Sequence, residues 1–273
     1  LINGEAAFTE RLRMIDEAQE SIYIQALIFK ADTVGNTIAR RLLLKKAADP
    51  DIDIRIIVDA YSNIQDLDAQ LMYFQLQNAG ILVEGYEAFY LHWLNEVNLR
   101  DWTAGNKRYR AKYWSVDGRA AVVGGMNIGD EYARIGDDPV LIWRDQDVYL
   151  EGPVVEDIER AFLENCEHFK AIKETWPGAF NTDTYWDAWQ GVHPDLRDLV
   201  THSLDKRRED ALADLPAWEE LGLARRRVGK ALHQDVSVRF VRSRPRYGET
   251  YIDQAYCQLI DSATTSVLIA NAY

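Results

Sequence analysis

Residues 1–86 alternate between two hydrophobic periods. In "FTERLRMIDEAQ", Phe8, Leu12 and Ile15 recur at helical spacing and Ala18 continues the stripe. "SIYIQALIFK" then reads as a β-rich run. "VGNTIARRLLLKKAA" returns to the helical pattern, and "DIDIRIIVDA" is apolar enough for a buried strand. "DLDAQLMYFQLQNAG" predicts a helix that stops at Gly80, a residue suited to a C-terminal cap. "ILVEGY" predicts the next strand. Strands and helices alternating over short connections predict an α/β fold with mostly parallel strands.

The pattern then changes. "EAFYLHWLNEVNLRDWTAGN" carries Phe89, Tyr90, Trp93 and Trp102 without a clean period. Aromatics this dense form either packing surface or the wall of a site mouth. Two strands follow around an Asp117-Gly118 turn. "RDQDVYLEG" comes next, then a helix from about Pro153 to Lys170, with Pro153 in its first turn. From Trp176 to about Lys230 the chain is charged, helical in pattern and poor in strand signals. "DVSVRFVRS" is strand-like and restarts the α/β pattern. The expected division is a first domain over 1–172, a helical insertion or linker over 173–234, and the beginning of a second domain over 235–273.

An internal repeat supports that division. Ile15 to Ile24 and Ile260 to Ile269 both read I-D-x-A-x-x-S-[I/V]-x-I, at a constant offset of 245 residues. Each copy is a helix end running into a strand. The sequence is therefore expected to hold one unit and the first two elements of another, with the rest of the second lying past Tyr273. The chain also lacks an initiator Met, so its natural start is expected upstream.

Composition narrows the chemistry. Of the 273 residues, 47% are hydrophobic and 27% charged, as in ordinary globular proteins. No apolar run approaches the ~18 residues of a membrane span, and "LINGEAAFTE" lacks the basic and apolar parts of a signal peptide. The net charge of -13 argues against broad nucleic-acid binding. Arg239, Arg242, Arg244 and Arg246 nevertheless crowd one stretch, and Arg225, Arg226 and Arg227 another. Each run is either a solvated face or a local anion site. Cys166 and Cys257 are expected to be buried thiols. Neither they nor the five scattered histidines have metal-ligand spacing, so no metal or other cofactor is expected.

The candidate chemistry lies in "RYRAKYWSVDGRAAVVGGMNIGDEY", residues 108–132, which contains R-x-K-x4-D-x6-G-G-x-N. Positions 110 and 112 of an extended chain share a face. Lys112 offers a point charge to an anion, and Asn127 a directional N–H. Gly124 and Gly125 let the backbone approach a ligand. Asp117 begins the Asp-Gly turn, which could be its whole role. Lys112 read alone is a surface strand lysine.

With His in place of Arg110, the spacing is the HxKx4Dx6G[GS]xN signature of the phospholipase D superfamily. "GGMNIGDEY", "DQDVYLEGPVV" and "AFTERLRMIDEAQESIYIQ" resemble its bacterial cardiolipin synthase branch. The resemblance covers roughly residues 1–170 and resumes over 235–273. It implies a mixed, mostly parallel sheet flanked by helices, the first of two duplicated halves that face each other. It implies a metal-free phosphatidyl transfer or phosphodiester hydrolysis through a phosphohistidine, with Lys112, Asp117 and Asn127 among the site residues. It also implies an anionic phospholipid substrate such as phosphatidylglycerol, and a bacterial, peripherally membrane-associated setting. Arg110 is the departure. A guanidinium stays protonated and has no free lone pair. It cannot be the nucleophile or carry the proton, although it can bind phosphate. This chain alone is therefore expected to be inactive, completed by a second half of the same protein or by another chain. A pseudoenzyme that only binds phosphate or anionic lipid is the alternative. A nuclease is a third reading, disfavoured by the acidic charge.

Overall fold

The computed structural model describes residues 1, 3–59, 66–86, 110–134, 143–175, 233, 235–244 and 248–269. The elements that periodicity predicts for the N-terminal part are present. Helix α1 spans Asn3–Glu17 and leads into β1, Ser21–Ala26; α2, Thr33–Ala48, leads into β2, Asp53–Asp59; α3, Leu67–Asn78, leads into β3, Leu82–Tyr86. Local chemistry sets several boundaries. The Asp32 side chain accepts from the Gly35 amide at the start of α2, and Asp66 accepts from Ala69 at the start of α3. Gly80 takes φ +83° just past the end of α3, the left-handed geometry that its sequence position suggests.

Strands β4 (Tyr113–Val116) and β5 (Ala120–Gly124) form the hairpin. A short helical turn, α4 (Asp130–Ala133), then precedes β6 (Asp147–Glu151) and helix α5 (Val154–Thr175). The six strands run in the order β3-β2-β1-β4-β5-β6. β1–β2 and β2–β3 pair in parallel, whereas β1–β4, β4–β5 and β5–β6 are antiparallel. The sheet is mixed, as expected, but "mostly parallel" holds only for its β1–β3 half. A two-strand hairpin and its neighbour turn the other half antiparallel, because tight connections join only antiparallel strands.

The period-two alternation assigns each strand two faces. Ile22, Ile24, Ile54, Ile56, Trp114 and Val122 pack under α1, α2 and α3 in the larger core. Tyr23, Ile57, Tyr113 and Ala121 point the other way, to Val155, Ile158, Phe162 and Cys166 of α5. Tyr23 stacks on Phe162 at 5.0 Å. The result is three layers, helix–sheet–helix. Helix α5 continues past residue 172, where the sequence places a boundary. Of the helical segment expected over 173–234, residues 176–232 and 234 lie outside the described residues. So do the aromatics Phe89, Tyr90, Trp93 and Trp102, and the run Arg225–Arg227.

Three expectations fail in the C-terminal stretch. "DVSVRFVRS" forms no strand. Its side chains dock it on β4 and α5 instead: Phe240 meets Tyr113 of β4 edge-on at 6.3 Å, and Arg242 donates to the Ala161 carbonyl of α5 at 3.0 Å. Alternation prescribes an extended chain, but a strand also needs a ladder partner. The helix α6, Tyr251–Ser262, is present as the repeat predicts, yet it buries no residue, and the strand that the repeat predicts after it does not form over residues 263–269. Consequently Cys166 is buried as expected, whereas Cys257 on α6 is exposed.

Candidate phosphate-binding site

The hairpin has two chemically different ends. At one end, Asp117 and Gly118 take φ of +54° and +57°, and Arg119 N donates to Val116 O at 2.9 Å. Such left-handed turn positions favour Asp and Gly. The Asp117 carboxylate is engaged there by backbone amides. It accepts from the backbone amides of Gln19 (3.0 Å), Glu20 (2.8 Å) and Ser21 (3.0 Å), tying the turn to the α1–β1 junction. Asp117 is thus separated by the whole of β4 from Lys112. The structure does not bring it together with the other motif residues, and the turn role accounts for it.

The other end lies at the carboxyl ends of the parallel strands, the usual place for a ligand in α/β sheets. The register sets Gln25 of β1 opposite Tyr113, and Tyr113 opposite Val123. Lys112 therefore enters beside Gly124, whose amide donates to the Lys112 carbonyl at 3.3 Å. Arg110 is exposed. Lys112 is partly buried and folds its ammonium back to donate to the Arg110 carbonyl at 3.2 Å. Burial, and then the Arg110 charge, push the Lys112 pKa below the ordinary lysine value; Asp145 and Asp147 act the other way. Burial and a neighbouring guanidinium thus both disfavour the charged ammonium.

Gly124 and Gly125 have a more specific reason to be glycines than approach of a ligand. A Cβ on Gly124 would lie 2.0 Å from Asp147 Oδ1, and one on Gly125 would lie 2.6 Å from Asp145 Oδ1. Two carboxylates, Asp145 just before β6 and Asp147 at its first position, occupy the space where those side chains would be. The Asp147 side chain is buried and ion-paired to Arg11 of α1 at 2.7 Å. Its Oδ1 also accepts from the Met126 amide at 3.3 Å. Arg11, Asp145 and Asp147 were not among the motif positions. The only signal for the carboxylates is "DQD", two acids one residue apart after the glycine pair. Nothing local marks Arg11.

Asn127 is buried and already engaged. Its Oδ1 accepts from the Ile28 amide at 3.2 Å, and its Nδ2 donates to the Tyr132 hydroxyl at 2.7 Å. The segment after it, "IGDEY", acts as a clamp. Ile128 bridges to Phe29, Asp130 accepts from the Val34 amide at 2.8 Å, and Glu131 pairs with Lys30 at 2.6 Å. Asn127 thus fixes the hairpin exit to the loop after β1 and has one Nδ2 hydrogen left beyond the Tyr132 bond.

Two arginines of the arginine-rich stretch are already ion-paired. Arg242 pairs with Glu164, and Arg244 pairs with Glu249 at 2.5 Å; Arg246 lies outside the described residues. Among the described residues no cluster of His, Cys, Asp and Glu could hold a metal ion, and no helix is long and apolar enough to cross a membrane.

Residues 12–165 match the family described as cardiolipin synthase, PLD-like domain. Cardiolipin synthase A of Pseudomonas fluorescens is 35% identical over 189 residues, covering 68% of this chain and 36% of that protein. Cardiolipin synthase 1 of Bacillus cereus is 33% identical over 167 residues, covering 60% and 30% respectively. The chain thus spans about a third of the length of these relatives. Among solved structures, phosphatidylserine synthase of Haemophilus influenzae is 18% identical with a TM-score of 0.46, covering 60% of this chain and 35% of that one.

Proposed function

The chain belongs to the cardiolipin synthase PLD-like domain family, and on that premise we propose that residues 110–127 form one phosphate-binding half of a phosphatidyltransferase site for anionic phospholipid. The observation that carries this reading is the Arg110–Lys112 pair beside Gly124 at the carboxyl ends of β1 and β2. A partly buried ammonium, disfavoured by burial and by a neighbouring guanidinium, gains most from an incoming anion. Arg110 would hold a phosphodiester through two N–H groups, and Lys112 would add charge at a point. Both interactions strengthen as charge builds on the non-bridging oxygens, which is how such groups favour phosphoryl transfer.

In the complete reaction, a histidine nitrogen would attack phosphorus as the bond to the leaving alcohol breaks. An alcohol acceptor such as phosphatidylglycerol would then displace the histidine. Arg110 has no lone pair with which to perform either step. This half therefore binds, while the nucleophile and the proton come from a second half of the same protein or from another chain. The natural setting on this reading is the surface of a bacterial membrane, with the protein peripheral in the portion described here.

The deciding experiment is headgroup exchange on phosphatidylglycerol by full-length protein, with and without Arg110→His. The expected outcome is weak or absent turnover with Arg110, and a gain of turnover with a trapped phosphoenzyme on Arg110→His. Lipid binding should be lost in Lys112→Ala. The occupied Asn127 favours a second reading, a binding module without turnover. No turnover from Arg110→His, with Lys112-dependent lipid binding intact, would select it.

Affinity should also depend on pH in a stated direction. The anion binds the protonated Lys112, whose pKa is lowered in the free protein. Binding should thus fall as pH rises, beginning below the range of a solvated lysine. Lys112→Arg should remove that fall.

A further inference from the structure

Arg11 is the least predictable residue near the site. Its guanidinium lies 4.8 Å from the Phe8 ring centroid and 5.7 Å from that of Trp114. Its Nη2 donates to Asp147 Oδ2 at 2.7 Å and lies 3.5 Å from the Met126 carbonyl. The two side chains are 5% and 0% exposed. Nε and Nη1 are buried without a hydrogen-bond partner. The aromatic faces shield this cation, and Asp147 is its one ion-pair partner among the described residues. Asp147 in turn has a second set of contacts: its Oδ1 receives the Met126 amide and fills the space above Gly124. It also acts electrostatically on Lys112.

We propose that Arg11 is a positioning residue for the phosphate half-site: by holding Asp147, it fixes the Gly124–Met126 segment and withholds that carboxylate from Lys112. The inference deepens the half-site reading above and rests on it for the identity of the ligand. Without Arg11, Asp147 would carry an uncompensated charge beside an ammonium that is already disfavoured, and the two would pair. The lysine would then be neutralised from inside the protein, leaving less of its field for a phosphate. The charged groups acting on Lys112 are Arg110, Asp145 and Asp147, with Arg11 behind Asp147; Asp145 also acts on Arg11.

The test follows the Lys112 ammonium through a pH titration by NMR, in the full chain. Arg11→Met should raise the Lys112 pKa, because an acid loses its partner. Asp147→Asn should lower it, because a cation loses its partner. The double variant should return close to wild type. A purely structural role predicts lost stability without opposed shifts. Binding of short-chain phosphatidylglycerol should weaken about tenfold in Arg11→Met and recover in the double variant. Shifts of the same sign in both single variants, or none, would overturn the proposal. If one single variant does not fold, the other and the double variant decide: a shift that the double reverses supports the role, and no shift refutes it. Opposed shifts in a protein that binds no phosphatidylglycerol would uphold Arg11 and overturn the half-site reading.

Discussion

The same ten-residue pattern meets two different fates in this chain. Ile15 to Ile24 closes α1 and forms the central strand β1; Ile260 to Ile269 closes α6 and runs on as an extended segment. In the first copy Ile15 is 1% exposed, and Ile22 and Ile24 are sealed between β2 and β4. In the second, Ile260 is 46% exposed and Leu268 96%. The apolar spacing is equal, so spacing is not what buries a residue. The first copy is packed because β2, β4, α2 and α4 contribute surfaces to it. Among the described residues, no comparable layer covers the second.

The largest expected effect contrasts matched positions. Ile15→Ala should cost about 2–5 kcal/mol, through lost burial and a residual cavity. Ile260→Ala, at the same place in the repeat, should stay within about 0.5 kcal/mol. Chemical denaturation of the two variants checks this. Equal losses would mean that the second copy is packed in solution.

A smaller effect is expected at the anchor of the first copy. Asp117→Ala strips the acceptor from the amides of Gln19, Glu20 and Ser21, costing about 2–3 kcal/mol at a charged acceptor. Because Asp117 lies at the far end of the hairpin, phosphate affinity of the folded fraction should not change. Calorimetry with lipid at a temperature below the transition separates the two readouts.

The packed region should also show a pH dependence of its own. Burial, together with Asp130 and Glu131, raises the Asp32 pKa to about 6, against backbone bonds from Asp130 and Gly35 that lower it. The folded state therefore keeps a proton that the unfolded chain releases near the ordinary value of 3.8. That contribution is full below about pH 4 and fades as pH rises to about 6. Its size is on the order of 2 kcal/mol. The difference in stability between wild type and Asp32→Asn should accordingly slope over this window and be flat above it. A flat difference throughout would remove the buried-carboxylate account.

The mildest probe leaves stability unchanged. Cys257 stands in the repeat where Leu12 stands in the first copy, and it is exposed, while Cys166 is buried with its thiol pushed up to about 12. A disulfide reagent should titrate one thiol in the native protein, at Cys257, and both after unfolding. Two fast thiols would show that α5 opens readily from the sheet.

The N-terminal elements were legible because each is set by local period and by a capping residue, such as Asp32, Asp66 or Gly80. That Arg110 and Lys112 would lie near Gly124, Gly125 and Asn127 was legible in the spacing, because a hairpin with an Asp-Gly turn brings its two open ends together. What each motif residue does there was less legible. The amide of Asn127 goes to Ile28 and Tyr132, and the glycines make room for Asp145 and Asp147. These are decisions of shape, taken where separate elements meet. "DVSVRFVRS" failed as a strand for the same reason: pairing is a property of two segments, and a sequence window holds one.

The sequence by itself determined the period of each element, the hairpin, the cation pair at 110 and 112, and a guanidinium without a free lone pair at Arg110. Those follow from residue chemistry and from separations of a few positions. Only the tertiary structure decided that Arg11 would meet Asp147 across 136 residues, that Asp117 would brace the α1–β1 junction, and that one copy of the repeat would be core and the other surface. Burial and long-range pairing depend on which surfaces close on a residue, and no local pattern carries that information.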